Sequence, residues 1–514
     1  MKNIAALVVW SGESNLKESL QLLQQNPDVQ DLAVLCLVEG HPEISVDGDG
    51  EISWLRGEKL WSRQSLDRVM QWFHDGGARN LLLLQTACPL IFSGGLQRMQ
   101  QAMTETGALW LYSDFQDFDD DKPRLHPLID YQNGSLRDDF DFGSVLLLAR
   151  DAALQAWTDQ RQENRDLHFG ALYDLRLRIS EQGRLFHLPE PCYLQPAQDK
   201  RNSGQKVFDY VDPRQRDYQI EMEQIATAHL KRVDAWLPAA TGQAHKSEQK
   251  FALRASVVIP VRNRVKTIAE AVQSALEQKT DFDFNVIVVD NHSSDGTTEL
   301  LKKMSASHKR LVHIIPQRRD LGIGGCWNEA IYSPRCGEYA VQLDSDDLYA
   351  VDDVLARIVD GMRAENAALA VGAYTTVNFD LEEQAPGLID HREWSDENGH
   401  NNLLRIHGMG APRAYHVPSL RPFGFPNVSY GEDYAVVLRL SRQYRVLRIF
   451  ENLYWCRRWE GNSDSNLDIA TQNRYHYYKD SLRTVELCAR RRQPVLRRVS
   501  GARSDEAFAP ENKA

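Results

Sequence analysis

The sequence predicts an α/β protein made of two tandem domains joined by a long helix. Three observations predict it. Apolar runs of four to eight residues alternate with amphipathic stretches of about ten, as in α/β units around a mostly parallel sheet. The alternation occurs twice in 514 residues, a length that itself predicts two to four domains. A polar segment, 195–204, parts the two occurrences, and a helical stripe follows it.

In the first half the strand candidates are Ile4–Trp10, Leu32–Val38, Asn80–Leu84, Leu109–Tyr112 and Ser144–Leu148, with helical patterns at Leu16–Gln25 and Ser65–His74. Asp212-Pro213 then reads as a helix start, with Asp as cap and Pro at the first helical position. That helix is expected from Pro213 to about Leu237, on the stripe Ile220, Met222, Ile225, Ala228, Leu230 and Val233, and Pro238 ends it. Thr241–Lys250 is a second polar linker. The second half offers strands Ala255–Ile259, Asn285–Val289, Leu311–Ile315 and Ala340–Leu343, and helices Ala269–Gln278 and Thr298–Ser305. The resulting division is 1–205, a helical linker 206–250, 251–490, and a polar, disordered tail 491–514.

The composition is 42% hydrophobic and 26% charged, that of an ordinary globular protein. Sixty Lys and Arg against 72 Asp and Glu give a net charge of −12, which excludes a global basic footprint for nucleic acid. Seven scattered cysteines without a CxxC pair argue against a disulfide framework and a structural zinc site. No segment reaches the roughly 18 apolar residues of a membrane span. The apolar run Ile4–Trp10 is too short for a signal peptide, so a cytoplasmic location is expected, with a peripheral membrane contact as the alternative. Arg490–Arg492 with Arg497 and Arg498 would serve such a contact, a solvated helix face being the plainer reading.

The two halves also align with each other. Phe169-Gly170-Ala171-Leu172-Tyr173 falls on Tyr430-Gly431-Glu432-Asp433-Tyr434, and the register continues without gaps to Tyr193 and Tyr454. Duplication is the reading this supports, with two unrelated amphipathic helices as the alternative.

Four segments of the second half carry chemistry. Val257–Arg264 runs from an apolar strand through Pro260 into a polar turn, and ligands of open α/β sheets bind at such strand ends. Val288-Val289-Asp290-Asn291-His292-Ser293-Ser294-Asp295-Gly296-Thr297 ends the next strand, and a turn with a helix cap would use the same residues. Leu321-Gly322-Ile323-Gly324-Gly325 permits close backbone approach or an anion at a helix start. Leu343-Asp344-Ser345-Asp346-Asp347 gathers carboxylates that repel one another unless a cation screens them, and hard divalent cations take one or two carboxylates plus phosphate oxygens. Gly431-Glu432-Asp433 opens an amphipathic helix, where the dipole favours carboxylates and one of them can serve as a general base.

In this order, over about Ser256–Trp459, the motifs VVIPVRNR, VVDNHSSDGT, LGIGGCWN, LDSDD and GED resemble the family 2 glycosyltransferases. The resemblance implies the GT-A fold, an inverting transfer from a nucleotide-sugar to an acceptor hydroxyl, and a divalent metal, Mn²⁺ or Mg²⁺. It implies that Pro260, Val261, Arg262, Asp290, Gly322, Asp344, Ser345 and Arg458 bind the nucleotide-sugar, a UDP-sugar in preference to a GDP-sugar. Asp346 would hold the metal. Asp433 matches the base, with Glu432 its weaker neighbour. The family's QxxRW motif stands here as Trp455-Cys456-Arg457-Arg458-Trp459, which puts processive polymerisation in doubt. His407, Trp394 and Trp459 are read first as packing residues, and as a metal ligand or sugar platforms only second.

The first half lacks the acids. Gln85-Thr86-Ala87-Cys88-Pro89 stands where an Asp-x-Asp would fall, Ala171-Leu172 replace Glu432-Asp433, and Val38–His41 preserves little of the Asp290 loop. This half is therefore expected to be a degenerate GT-A-like copy with a structural or acceptor-binding role, its acidic stretch Asp114–Asp121 a solvated loop. A transferase with two working sites and a non-catalytic nucleotide-sugar-binding scaffold are the alternatives.

Overall fold

The computed structural model describes residues 3–38, 51–87, 89–119, 122–196, 212–240, 242–244, 249–392, 394–459, 461–462 and 467–504, the stretch 493–504 as backbone. The expectations for Glu39–His41, Cys88, Asp120, Asp121, residues 197–204, 245–248 and the last ten residues lie outside these. The chain divides into two units. Unit 1 takes Met1–Gly204, Asp217–Asp234 and Asp468–Thr484, and unit 2 takes Gln205–Arg216, Ala235–Leu467 and Val485–Ala514.

Unit 1 begins with β1 (Ile4–Trp10), α1 (Leu16–Gln24), β2 (Val29–Cys36), β3 (Ile52–Arg56), α2 (Arg63–Gly76), β4 (Asn80–Leu84), β5 (Leu90–Ile91) and α3 (Gly95–Thr106). It continues through β6 (Trp110–Ser113), β7 (Phe115–Asp119), β8 (Lys122–His126), β9 (Val145–Ala149), α4 (Arg150–Gln162), α5 (Ala171–Gln182), β10 (Leu185–Leu188) and β11 (Tyr193–Pro196). The order β10-β6-β9-β4-β1-β2-β3 makes a seven-stranded sheet in which β9 alone runs antiparallel to its neighbours, and β5-β11-β7-β8 make a second sheet. The acidic stretch is not a solvated loop. Phe115–Asp119 is β7, and Asp114 is buried, its Oδ1 accepting from Nε2 of His187 at 2.7 Å and from the Leu128 N–H at 2.7 Å.

A 3₁₀ turn at Pro213–Gln215, with the Asp212 side chain accepting from the Arg214 N–H at 2.9 Å, opens α6 (Arg216–Arg232). The helix stops short of Leu237 because Asp234 turns left-handed at φ +56°. Met222, Ile225, Ala228 and Leu230 are buried, whereas Ile220 is exposed.

Unit 2 runs β12 (Ala255–Val261), α7 (Ile268–Leu276), β13 (Phe284–Asp290), α8 (Thr297–Ser307), β14 (Leu311–Ile314), α9 (Ile323–Ile331), β15 (Tyr339–Gln342), β16 (Leu348–Tyr349) and α10 (Val354–Glu365). Then come β17 (Leu369–Val377), β18 (Glu383–Ile389), α11 (Gly399–Asn402), β19 (Arg413–His416), α12 (Val417–Leu420), α13 (Glu432–Ser441) and β20 (Val446–Arg457); α14 (Ile469–Ser504) belongs to unit 1 up to Thr484 and to unit 2 from Val485. The sheet order is β14-β13-β12-β15-β19-β17-β20-β16, with β18 on the edge of β17. β12 and β13 are apolar almost throughout and pair in parallel, Val257 with Val286 and Ile259 with Val288, under α7 and α10. Burial on both faces is what an unbroken Val/Ile run encodes.

The two sheets share one topology. Reading β3-β2-β1-β4-β9-β6-β10 against β14-β13-β12-β15-β19-β17-β20 gives the same chain order and the same directions, with the antiparallel strand at β9 and β19. The aligned repeat takes equivalent places. Gly170 precedes α5 as Gly431 precedes α13, and Tyr193 opens β11 while Tyr454 lies in the second half of β20.

The helix α14 runs through Ser504, into the segment read as a polar tail. Arg490 is fully buried and not on a solvated face. Its Nε donates to Glu486, Nη1 to Oδ1 of Asn401 and Nη2 to the His400 carbonyl, at 2.8–2.9 Å. Among the described residues no helix is long and apolar enough to cross a membrane.

Candidate active site

The carboxyl ends of β12, β13 and β15 lie side by side, so the loops that leave them share one rim. Two of these loops are laced together. The Asn263 N–H donates to Ser293 Oγ at 3.0 Å, and the Ser294 N–H donates to Asn263 Oδ1 at 2.8 Å. The Arg264 N–H reaches Thr297 Oγ1, and the Val265 N–H reaches Asp295 Oδ2. Asn263 and His292 are left-handed, at φ +54° and +56°, a conformation costly outside glycine that these bonds hold in place.

Asp290 ends β13 with no exposed surface. Its carboxylate accepts from the Ser293 N–H, the Thr298 hydroxyl and, at 3.3 Å, Nε2 of His313. Burial alone would raise its pKa, and the hydrogen bonds from His313, Thr298 and Ser293 outweigh burial and hold it far below the ordinary carboxylate range. Asp290 thus orders its own loop, and contact with a base would require one of these bonds to open. Pro260 is half-buried, Val261 is buried, and Arg262 is exposed with no ion pair among the described residues.

The glycines after Leu321 approach protein and not an anion. The Gly322 N–H donates to Asn427 Oδ1 at 2.8 Å, and the Gly324 N–H to the Val428 carbonyl at 2.9 Å. A Cβ on Gly324 would collide with the Pro426 carbonyl and come within 2.9 Å of the Glu432 Cβ. The glycine run therefore seats the start of α13.

At the end of β15 the three acids take different places. Asp344 is half-buried and accepts from Nε2 of Gln342 at 3.0 Å on both oxygens. Asp347 is buried, and its Oδ1 accepts from the Arg457 N–H at 2.8 Å. Burial raises the pKa of both, and repulsion adds to it, from Asp346 on Asp344 and from Asp344 and Asp346 on Asp347. Asp346 Oδ2 accepts from the Trp459 indole N–H at 3.1 Å and lies 3.8 Å from Nε of Arg264, whereas its Oδ1 accepts no hydrogen bond among the described residues. Ser345 is half-buried, and its carbonyl accepts from Thr267 Oγ1 at 2.9 Å.

Facing them, α13 presents Asp433 at its first turn, 26% exposed, while the neighbouring Glu432 is buried. Asp433 Oδ1 accepts from the Tyr434 N–H at 2.7 Å, and Oδ2 meets Nη2 of Arg413 at 2.9 Å. Burial works against the charge on Arg413, and Asp433, Tyr415, Asp344 and Glu432 more than offset it, raising its pKa. The Arg413 N–H donates to Oε1 of Gln342 at 3.2 Å, the same amide that holds Asp344. Base candidate and strand-end acid are thereby joined through the side chain and backbone N–H of Arg413 and the amide of Gln342.

The sequence reading missed Arg413, Arg264 and Arg457, and it gave Trp459 to packing. Arg457 is 1% exposed, and its guanidinium grips the Asp346 carbonyl and the Glu270 carboxylate. Arg458 is half-buried at the next position, its N–H on the Val377 carbonyl. The signal available was the period of two along β20, which turns these neighbours to opposite faces. His407 and Trp394 are buried, as packing residues would be.

These side chains can hold a hard cation and an anionic leaving group beside a base. Asp346 keeps one oxygen without a donor among the described residues, and Asp344 and Asp347 beside it are raised first by burial and then by acid–acid repulsion, the part a cation would relieve. No group of three or more His, Cys, Asp or Glu side chains placed to hold a metal occurs among the described residues.

The matching place in unit 1 is filled. The Glu221 carboxylate, from α6, accepts the N–H groups of His168, Phe169 and Gly170 at 2.7–2.9 Å, at the start of α5. A Cβ on Gly170 would collide with Ile225.

A profile described as Glycosyl transferase family 2 matches residues 256–417. The chondroitin synthase of Escherichia coli is 29% identical over 233 residues, 44% of this chain and 32% of that protein. The succinoglycan biosynthesis protein ExoA of Rhizobium meliloti is 24% identical over 217 residues, 39% of this chain and 62% of that one. The chain thus spans less than two thirds of the length of either. Among solved structures, S. aureus TarS 1–349 in complex with UDP is 21% identical, covering 45% of this chain and 65% of that one at a TM-score of 0.34.

Proposed function

We propose that this chain, which over residues 256–417 belongs to the family 2 glycosyltransferases, transfers a sugar from a nucleoside diphosphate donor to an acceptor hydroxyl through unit 2. The observation that carries the proposal is the set of strand-end acids Asp344 and Asp346 joined to Asp433 through Gln342 and Arg413. In this reading the base and ribose of the donor lie along Pro260–Arg262 and the loop that Asp290 orders, with Asp344 at the ribose. Arg262, exposed and without an ion pair among the described residues, and Arg264 lie where a diphosphate would need positive charge.

Asp346 would hold a divalent cation, which when bound supplies Lewis-acid neutralisation of charge on the departing diphosphate. Trp459 and Arg264 hold Oδ2 of Asp346, and Oδ1 accepts no hydrogen bond among the described residues. Arg457 fixes its backbone. Asp433 takes the acceptor's hydroxyl proton as the acceptor oxygen bonds to the anomeric carbon. The bond from that carbon to the phosphate oxygen breaks in the same displacement, and the configuration inverts. Unit 1 serves as a non-catalytic partner domain, its corresponding helix start being filled by Glu221.

Calorimetric titration of UDP and of GDP, with and without Mn²⁺, tests the reading. Metal-dependent binding of UDP is expected, and Asp346→Ala should abolish that metal dependence. Binding that keeps its metal dependence in Asp346→Ala would remove Asp346 from the role. No binding of either nucleotide would favour a non-catalytic scaffold.

A further inference from the structure

The base candidate is not held by its own helix alone. Asp433 lies on the first turn of α13, and the cation against it comes from β19, the antiparallel neighbour of β15. Arg413 is fixed at three points. Its Nη2 meets Asp433 Oδ2 at 2.9 Å, its Nη1 donates to the Gly410 carbonyl, and its backbone N–H donates to Gln342. Its side chain is 15% exposed, so the guanidinium is anchored in the wall and not swinging in solvent. Gln342 in turn spends both contacts of its amide nitrogen on Asp344. A planar guanidinium with two engaged nitrogens fixes a direction as well as a charge, which an ammonium does less well.

We propose that Arg413 is the positioning residue of the transfer: it aims the Asp433 carboxylate at the acceptor hydroxyl and ties that aim, through Gln342, to the strand end that carries Asp344. This rests on the reading of Asp433 as the base. Arg413 touches neither donor nor acceptor in this account. Its loss should lower the rate of the bound complex and leave donor affinity alone, because misplacing a reacting group by about an ångström costs up to about a hundredfold.

The test compares the full-length chain with Arg413→Gln, Arg413→Lys and Asp433→Asn. UDP release is measured from UDP-glucose, UDP-galactose and their N-acetyl counterparts with a mixed oligosaccharide acceptor, and UDP binding is measured by calorimetry on each variant. Arg413→Gln should lose about tenfold to a hundredfold in kcat, with the donor KM and UDP affinity within about twofold of the parent. Arg413→Lys should recover part of kcat. A parental kcat in Arg413→Gln, a loss confined to donor KM, or a Lys variant no better than the Gln variant would each overturn the proposal. Should Arg413→Gln fail to fold, Arg413→Lys carries the test alone: an intermediate kcat at unchanged KM is expected, and a parental kcat overturns it. Asp433→Asn separates the two levels. If it turns over like the parent, the base assignment falls. If it is inactive while the Arg413 variants are normal, only the positioning role falls.

Discussion

At the end of β13 the Asp290 carboxylate accepts from Ser293, Thr298 and His313 in a place water does not reach, and those bonds set its charge state. Its folded pKa is depressed, so the stability it gives is complete above the unfolded value of about 3.9 and is lost as pH falls below that towards the folded value. Asp290→Asn should therefore cost about 1–3 kcal/mol near neutral pH, because an amide offers one acceptor where the carboxylate offers two. The gap between parent and variant should narrow once the pH drops below about 4. Urea denaturation at neutral and acid pH measures it, and a gap that widens on acidification would contradict the linkage. Much of the residue-scale site was legible because carboxylates at a strand end or a helix start stand out in sequence, as Asp344 and Asp346 do at the end of β15 and Asp433 at the start of α13. Arg413 and Trp459 were not, since each acts on an acid distant in the chain, Asp433 and Asp346, and nothing local announces the partner. Nor was the fate of Asp290 legible, because the sequence names the acid without saying which donors will close on it.

Elements place these residues through close backbone approach, and the start of α9 shows how. Gly324 sits against the Pro426 carbonyl and the Glu432 Cβ, and its N–H bonds to Val428. Gly324→Ala has nowhere to put its methyl, because a backbone carbonyl cannot rotate away as a flexible side chain does. The substitution should push the 426–432 segment outward, cost about 1–3 kcal/mol as an overpacked contact does, and lower kcat by misplacing Asp433. Nucleotide affinity should change less than kcat, since Arg262 lies on the loop after β12 and Asp290 is held by Ser293, Thr298 and His313. A stable variant with parental kcat would show that the glycine run does not seat α13. The strands of β12, β13 and β15 were legible from their apolar runs, which two-sided burial demands. Short or half-exposed strands were less so. β7 carries acids yet pairs with β8 and β11, because Asp114 just before it is taken inward by His187. Along β20 a period of two decides that Arg457 goes beneath Asp346 and Arg458 does not, a one-residue distinction that a motif written as Arg-Arg cannot express.

At the scale of the whole chain, the same strand order and directions occur in both units, while the acids occur in one. A sheet is kept by burial of its apolar strands, a requirement that outlives any ligand. The helix start is different: in unit 2 it carries Asp433, and in unit 1 it is closed by Glu221 and the packing of Ile225 and Met222 against Gly170. Two expectations follow. Glu221→Ala strips one acceptor from three N–H groups, so unit 1 should lose about 1–3 kcal/mol. Transfer kinetics should stay parental, because no residue of unit 1 is assigned to the reaction. The number of nucleotide sites then separates one working unit from two. Titration of UDP with Mn²⁺ into the full chain should saturate at one nucleotide per chain, and Asp346→Ala should remove that event whole. Saturation at two, with one event surviving in Asp346→Ala, would mean that unit 1 binds nucleotide without a strand-end acid pair. The shared topology would then report two working sites, and the filled helix start would lie apart from the place where the nucleotide sits.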